Sequence, residues 1–170
     1  MILQRELLEL VWLKKGNLIL TEEVESFEKE ISIYTNSKFC LGLNSGTDAL
    51  MMALWSCGVG KGDEVIIPDM TFIATSNAVV LTGAKPVLAD IDSSLNISID
   101  SIQKNITKKT KAIIPVHFAG FSCNMKKIIQ IAKKNNLKII EDCAHSIGTY
   151  FNKKHVGTFG DTGCFSFYPT

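Results

Sequence analysis

The chain has 170 residues, with 18 Lys plus Arg against 17 Asp plus Glu, a net charge of +1 and 46% hydrophobic residues. So even a balance, with no clustered basic excess, argues against a nucleic-acid partner or an anionic membrane surface, and the apolar content excludes a disordered chain. No apolar run approaches the ~20 residues of a membrane helix, and the start Met1-Ile2-Leu3-Gln4-Arg5-Glu6 lacks a secretory signal, so a soluble, cytoplasmic chain is expected.

Leu3, Leu7, Leu10 and Val11 repeat at a helical spacing, and a turn follows at residues 14–17. Thr21 reads as the N-cap of a second helix, with Glu22 and Glu23 in its first turn and Val24, Phe27 and Ile31 on one face. Beyond it short apolar runs alternate with helical patterns. Strands are expected over residues 39–43, 65–67, 86–89, 112–116, 137–140 and 163–167, and helices over 47–57, 71–81, 100–106 and 124–135. Residues 151–155 resemble a hairpin tip. Strands without strict alternation, joined by amphipathic helices, predict an α/β domain whose mostly parallel sheet is flanked by helices on both faces.

Ligands of such a sheet collect at the carboxyl ends of its strands. Residues 44–47, 68–72, 90–92, 117–118 and 141–145 fall there and bring together polar groups, Phe72 and two imidazoles, His117 and His145. Leu43-Asn44-Ser45-Gly46-Thr47-Asp48-Ala49-Leu50 is a strand, a glycine turn and a helix start. Free amides at such a start, with the positive end of the helix dipole, suit a phosphate, although an ordinary Ser/Thr cap has the same appearance. Residues 58–63 are glycine-rich but precede a strand and lack the P-loop ending, so they read as a helix C-cap and turn. Asp142 closes an apolar strand, where a carboxylate is costly to bury without a partner. A protonated ring nitrogen would be one partner, and a structural hydrogen bond another. Asp90 and Asp92 read as turn formers.

His117, His145 and His155 show no metal-ligand spacing, so no metal is expected. The five cysteines are scattered singly and read as reduced core residues rather than nucleophiles. Asn96 and Asn105 stand in glycosylation patterns, but without a signal they read as exposed turn and helix-end residues.

Six ordered motifs carry a resemblance. They are Asn44-Ser45-Gly46-Thr47-Asp48-Ala49-Leu50, Gly62-Asp63-Glu64-Val65-Ile66 with Pro68, and Thr71-Phe72-Ile73-Ala74-Thr75. Thr110-Lys111-Ala112-Ile113-Ile114-Pro115-Val116-His117, Glu141-Asp142-Cys143-Ala144-His145-Ser146-Ile147-Gly148 and Phe165-Ser166-Phe167-Tyr168-Pro169-Thr170 complete the set. From about residue 16 onward the chain resembles the pyridoxal-phosphate-dependent sugar aminotransferases of the DegT/DnrJ/EryC1/StrS family, which have the aspartate-aminotransferase fold (fold type I). The resemblance implies that the amides of Gly46, Thr47 and Asp48, with the Ser166 hydroxyl, hold the phosphate of pyridoxal 5'-phosphate. It implies that Phe72 stacks on one face of the ring and Ala144 packs the other, that Asp142 pairs with the ring nitrogen, and that His145 lies beside the ring hydroxyl.

Such enzymes pass an amino group from an amino acid, usually glutamate, to a nucleotide-linked keto sugar in amino-sugar and polysaccharide biosynthesis, and a homodimer is implied. In the family the residue directly after the Phe-Ser-Phe-Tyr-Pro-Thr stretch is the Schiff-base lysine, which here would follow Thr170. On that reading residues 1–170 are the N-terminal part of the cofactor-binding large domain, without the small domain, and are inactive alone. Two rivals share the motifs: a sugar dehydratase branch with histidine at the lysine position, and a remnant that binds without turnover.

Overall fold

The computed structural model describes residues 21–168, so the helix expected near Leu3–Val11 and the turn after it lie outside the described residues. Two compact units divide the chain, residues 1–42 and residues 43–170.

The first unit contributes α1, Glu22–Thr35. Thr21 occupies its N-cap in an extended conformation but makes no side-chain cap bond; Glu22, Glu23 and Glu25 complement the helix dipole in the first turn. Asn36 ends the helix in the left-handed region at φ 56°, and its amide and that of Ser37 return to the carbonyls of Ile33 and Ser32. The strand expected over residues 39–43 does not form. Phe39 and Leu41 are largely exposed, and the Gly42 amide donates to Glu28 Oε1 at 2.7 Å. Apolar side chains make a segment fit for a sheet, but a strand exists only with a ladder partner, and none pairs with this segment among the described residues.

The second unit runs α2 (Gly46–Ser56), β1 (Glu64–Pro68), α3 (Ile73–Leu81), β2 (Lys85–Ala89), α4 (Ile99–Asn105), β3 (Thr110–Ile113), α5 (Met125–Asn135) and β4 (Lys138–Asp142). A small antiparallel hairpin of β5 (Tyr150–Phe151) and β6 (Lys154–His155) precedes β7 (Thr162–Cys164). The five long-range strands lie in the order β2-β1-β3-β4-β7, every neighbouring pair parallel. The winding reverses between β1 and β3, which makes their carboxyl ends the switch point of the sheet.

Alternate residues of the strands feed two cores. Val65, Ile67, Ala112, Ile114 and Ile140 pack with Leu50 and Leu54 of α2 and Val79 of α3. Ile66, Ile113 and Ile139 pack on the other face with Ile102 of α4 and Met125 and Ile128 of α5. Each fully buried branched side chain contributes about 1.5–3 kcal/mol, and coverage on both faces explains why the strands read as continuous apolar runs.

Two strands are shorter than expected. β3 stops at Ile113 because Pro115 has no N–H for a ladder, and pairing resumes only as a single bridge between Val116 and Asp142. β7 stops at Cys164 because its neighbour β4 ends at Asp142, the residue paired with Cys164. Gly58 and Gly62 have φ of 73° and 95°, and the Gly60 amide donates to Asp63 Oδ2, so residues 58–63 form the expected turn. Asn96 corrects the expectation of an exposed turn: it is buried, its Nδ2 donates to the carbonyls of Phe121 and Ser122, and its Oδ1 accepts from the Phe118 amide. A polar side chain with that many internal partners belongs to the interior.

Candidate cofactor site

Asp142 ends β4 on the face that α3 covers, and only 5% of its surface is exposed. Its Oδ2 accepts from Thr75 Oγ1 at 2.9 Å and its Oδ1 from the Ala144 amide at 3.1 Å. Burial pushes the carboxyl above its ordinary range; the bonds from Ala144 and Thr75, and the imidazoles of His145 and His117, pull it back. Behind Thr75, Thr71 Oγ1 lies 2.8 Å from Thr75 Oγ1. Phe72 sits between these threonines at the N-cap of α3, with 73% of its surface exposed. Ala144 and His145 follow Asp142 on an exposed loop, where the Phe118 ring meets His145 edge-on, centroids 6.1 Å apart.

A second cluster forms at the start of α2. Ser45 is its N-cap, and Ser45 Oγ accepts from the Asp48 amide at 3.1 Å. That leaves the Gly46 and Thr47 amides, which have no acceptor among the described residues. A Cβ on Gly46 would lie 3.0 Å from Ser166 Cβ, so glycine is what lets the chain beyond β7 close on the helix start. The register pairs Asp142 with Cys164, two residues before Ser166, so both clusters lie at the carboxyl edge of neighbouring strands.

The eight residues singled out from sequence thus form two groups: Gly46, Thr47, Asp48 and Ser166 at the helix start, and Asp142, Ala144 and His145 at the end of β4. Phe72 is tied to the second group through Thr75. Of the three amides expected to be free, that of Asp48 is already engaged by Ser45. Sequence reasoning did not single out Thr75, although it stands one helical turn from Thr71 in a quoted motif.

Glu141 was also missed. It is fully buried, its Oε1 accepts from the amides of Phe159 and Gly160 at 2.6 and 2.8 Å, and its Oε2 accepts from the Gly157 amide at 2.8 Å and faces His117 Nε2 at 3.1 Å. His117 Nδ1 accepts from the Cys123 amide, so Nε2 carries the proton and donates to Glu141. The signal was a second carboxylate at the end of an apolar strand, followed by Gly157, Gly160 and Gly163. A Cβ on Gly160 or Gly163 would lie 2.5 or 2.2 Å from a backbone oxygen. His117, Glu141 and Cys143 could in principle offer atoms to one ion, but the imidazole and carboxylate are already saturated by these hydrogen bonds. Burial raises all five thiols, Cys123 to about 12; Cys123, Cys143 and Cys164 are buried core residues as expected, whereas Cys40 and Cys57 are only half-buried.

Among the described residues no helix is long and apolar enough to cross a membrane. Residues 4–170 match the DegT/DnrJ/EryC1/StrS aminotransferase family. The spore coat polysaccharide biosynthesis protein SpsC of Bacillus subtilis is 43% identical over 166 residues, which cover 97% of this chain and 41% of that protein. The UDP-N-acetyl-3-dehydro-alpha-D-glucosamine 3-aminotransferase of Acidithiobacillus ferrooxidans is 45% identical over 159 residues, 93% of this chain and 43% of that protein. A Streptococcus pneumoniae protein solved in its PLP form superposes with a TM-score of 0.89 at 31% identity, covering 94% of this chain and 45% of that one. The chain spans about two fifths of the length of the curated relatives it matches. Its fold is that of the fold type I pyridoxal-phosphate aminotransferases, and the family together with the PLP-form neighbour implies that cofactor. Fold, ordered motifs and match together place the chain in the DegT/DnrJ/EryC1/StrS aminotransferase family.

Proposed function

We propose that residues 1–170 are the N-terminal part of the cofactor-binding large domain of a sugar-nucleotide aminotransferase. The whole enzyme passes an amino group from an amino acid, glutamate in the first instance, to a nucleotide-linked keto sugar, in amino-sugar synthesis for a polysaccharide, and works as a homodimer. The observation that carries this reading is the buried Asp142 carboxylate, held by one donor on each oxygen at the carboxyl end of β4.

The residues present fit pyridoxal phosphate. The Gly46 and Thr47 amides and the Ser166 hydroxyl hold the phosphate, with the Asp48 amide shared between it and Ser45, where a Cβ on Gly46 would crowd Ser166. Phe72 and Ala144 cover the two faces of the ring, and His145 orients the ring hydroxyl. Asp142 holds the ring-nitrogen proton. When bound, the cofactor supplies an electron sink for the carbanion left when the substrate carbon loses its proton. Asp142 makes that sink effective, because a carboxylate in a site of low polarity favours the positive ring strongly.

The test supplies the full-length protein with cofactor, glutamate and a panel of nucleotide-linked 3-keto and 4-keto sugars. The expected result is a nucleotide-linked amino sugar with one equivalent of 2-oxoglutarate. Cofactor that binds, with no amino transfer to any member of the panel, overturns the substrate assignment.

A further inference from the structure

Thr71 and Thr75 form a directed chain into the site. Thr75 is 1% exposed and has one hydroxyl proton, which it donates to Asp142 Oδ2 at 2.9 Å. Its contact with Thr71 Oγ1 at 2.8 Å must therefore be one in which Thr71 donates. The order is Thr71 to Thr75 to Asp142, and it suits a charged carboxylate at the receiving end. Resting on the reading of Asp142 as the partner of the cofactor's ring nitrogen, we infer that Thr75, backed by Thr71, is a positioning residue that keeps Asp142 ionised and aimed before the cofactor arrives.

The carboxylate needs such help. Burial works against its charge; the Ala144 amide and the Thr75 hydroxyl donate to it, and the titratable groups that act with it among the described residues are His117 beyond β3, Cys164 from β7, and Cys143 and His145 along its own segment. Hydrogen bonds to an ionised acceptor are stronger than neutral ones, and at side chains as buried as Thr75 and Asp142 a lost bond is poorly replaced. The two bonds on opposite oxygens also fix the plane of the carboxylate, leaving its remaining acceptor capacity for the site. The same chain straddles Phe72, the N-cap of α3, so one set of hydroxyls ties the stacking ring to the charge.

The test titrates the Asp142 side-chain carbon by 13C NMR in the cofactor-free full-length protein, the signal being assigned by its loss in Asp142→Asn. Thr75→Val, equal in shape but without the hydroxyl, is expected to raise the midpoint by about one pH unit or more. Thr75→Ser is expected to restore it, and Thr71→Val, which leaves Thr75 in place, to give a smaller rise. A shift that a merely structural threonine would not produce is thereby read directly. In the same proteins the cofactor dissociation constant, followed by visible absorbance, is expected to weaken about tenfold in Thr75→Val and to recover in Thr75→Ser, about the effect of one charge-assisted hydrogen bond. An Asp142 midpoint that does not move in Thr75→Val or Thr71→Val overturns the inference. Cofactor bound by Asp142→Asn with wild-type affinity and spectrum instead overturns the pairing on which the inference rests, whatever Thr75 does.

Discussion

Glu141 and Asp142 are consecutive carboxylates at the end of one buried strand, and alternation sends their side chains to opposite faces of the sheet. Glu141 meets four donors, three of them backbone amides of the tight segment that leads into β7. Asp142 meets two donors, one per oxygen, on the face that α3 covers. A carboxylate has roughly four lone-pair sites, so Glu141 is saturated and Asp142 is not. Burial is common to both residues. What separates a structural carboxylate from one poised for a ligand is the acceptor capacity left over after the protein's own donors are counted.

The largest effect that sharpens this contrast is on the saturated partner. Glu141→Gln places an NH2 group among donors and removes the charge they converge on. It is expected to lower the stability of the apo protein by about 3 kcal/mol, roughly 6–12 °C in Tm for a chain of this size, while folded molecules keep the wild-type cofactor spectrum. A Tm within a degree of wild type would break the comparison. Next in size is Asp142→Asn in the full-length enzyme, which keeps the shape and loses the charge. Transamination is expected to fall by at least ~100-fold, about 2.7 kcal/mol of transition-state stabilisation. Activity within about threefold of wild type, with cofactor bound, would make Asp142 no more than a second Glu141.

The contrast also marks where the sequence was informative. Apolar runs at residues 65–67 and 137–140 and the lysine-faced helix at 124–135 gave the parallel sheet, because period and burial are local properties. The segment at residues 39–43 misled for the opposite reason: a strand depends on a partner, and partnership is not a local property. Gly46 and Ser166 are 120 residues apart, and only the β4–β7 register brings them together. The DegT-type motifs made that pairing legible where spacing alone could not. Thr75, Glu141 and Asn96 were illegible because each role consists of hydrogen bonds to residues distant in the chain, which leave no periodic trace.

At the phosphate end the expected effect is smaller. Thr47→Pro removes one of the two amides that α2 leaves unengaged, at a position in the first helical turn where proline is tolerated. Cofactor affinity is expected to weaken about tenfold, ~1.4 kcal/mol, with little change in the apo melting curve. An unchanged affinity in a cofactor titration would return the start of α2 to an ordinary serine-capped helix and leave Asp142 as the site's one anchor.

The smallest effect reads the comparison through pH. In the empty site burial raises the Asp142 carboxyl above its ordinary value. The unfolded chain gives up this proton near pH ~3.9, and the folded chain does so at higher pH. Below ~3.9 both states hold the proton and the group is neutral toward folding. As pH rises from there to the folded-state value, the unfolded state ionises first and stability falls; above that value the full penalty persists. Asparagine at this position never ionises and keeps an oxygen for the Ala144 amide, while the threonine pair can reverse its direction. Asp142→Asn is therefore expected to melt higher than wild type in apo form at pH 7, by about 1 kcal/mol or roughly 2–4 °C, the gain usual when a strained functional group is removed. The difference should vanish at about pH 4 and below. Added cofactor should reverse the order, since the wild type gains more by linkage than the variant that binds it poorly. If Asp142→Asn instead melts lower at neutral pH, the bonds from Thr75 and Ala144 outweigh desolvation, Asp142 stabilises the fold as Glu141 does, and the distinction between the two carboxylates fails.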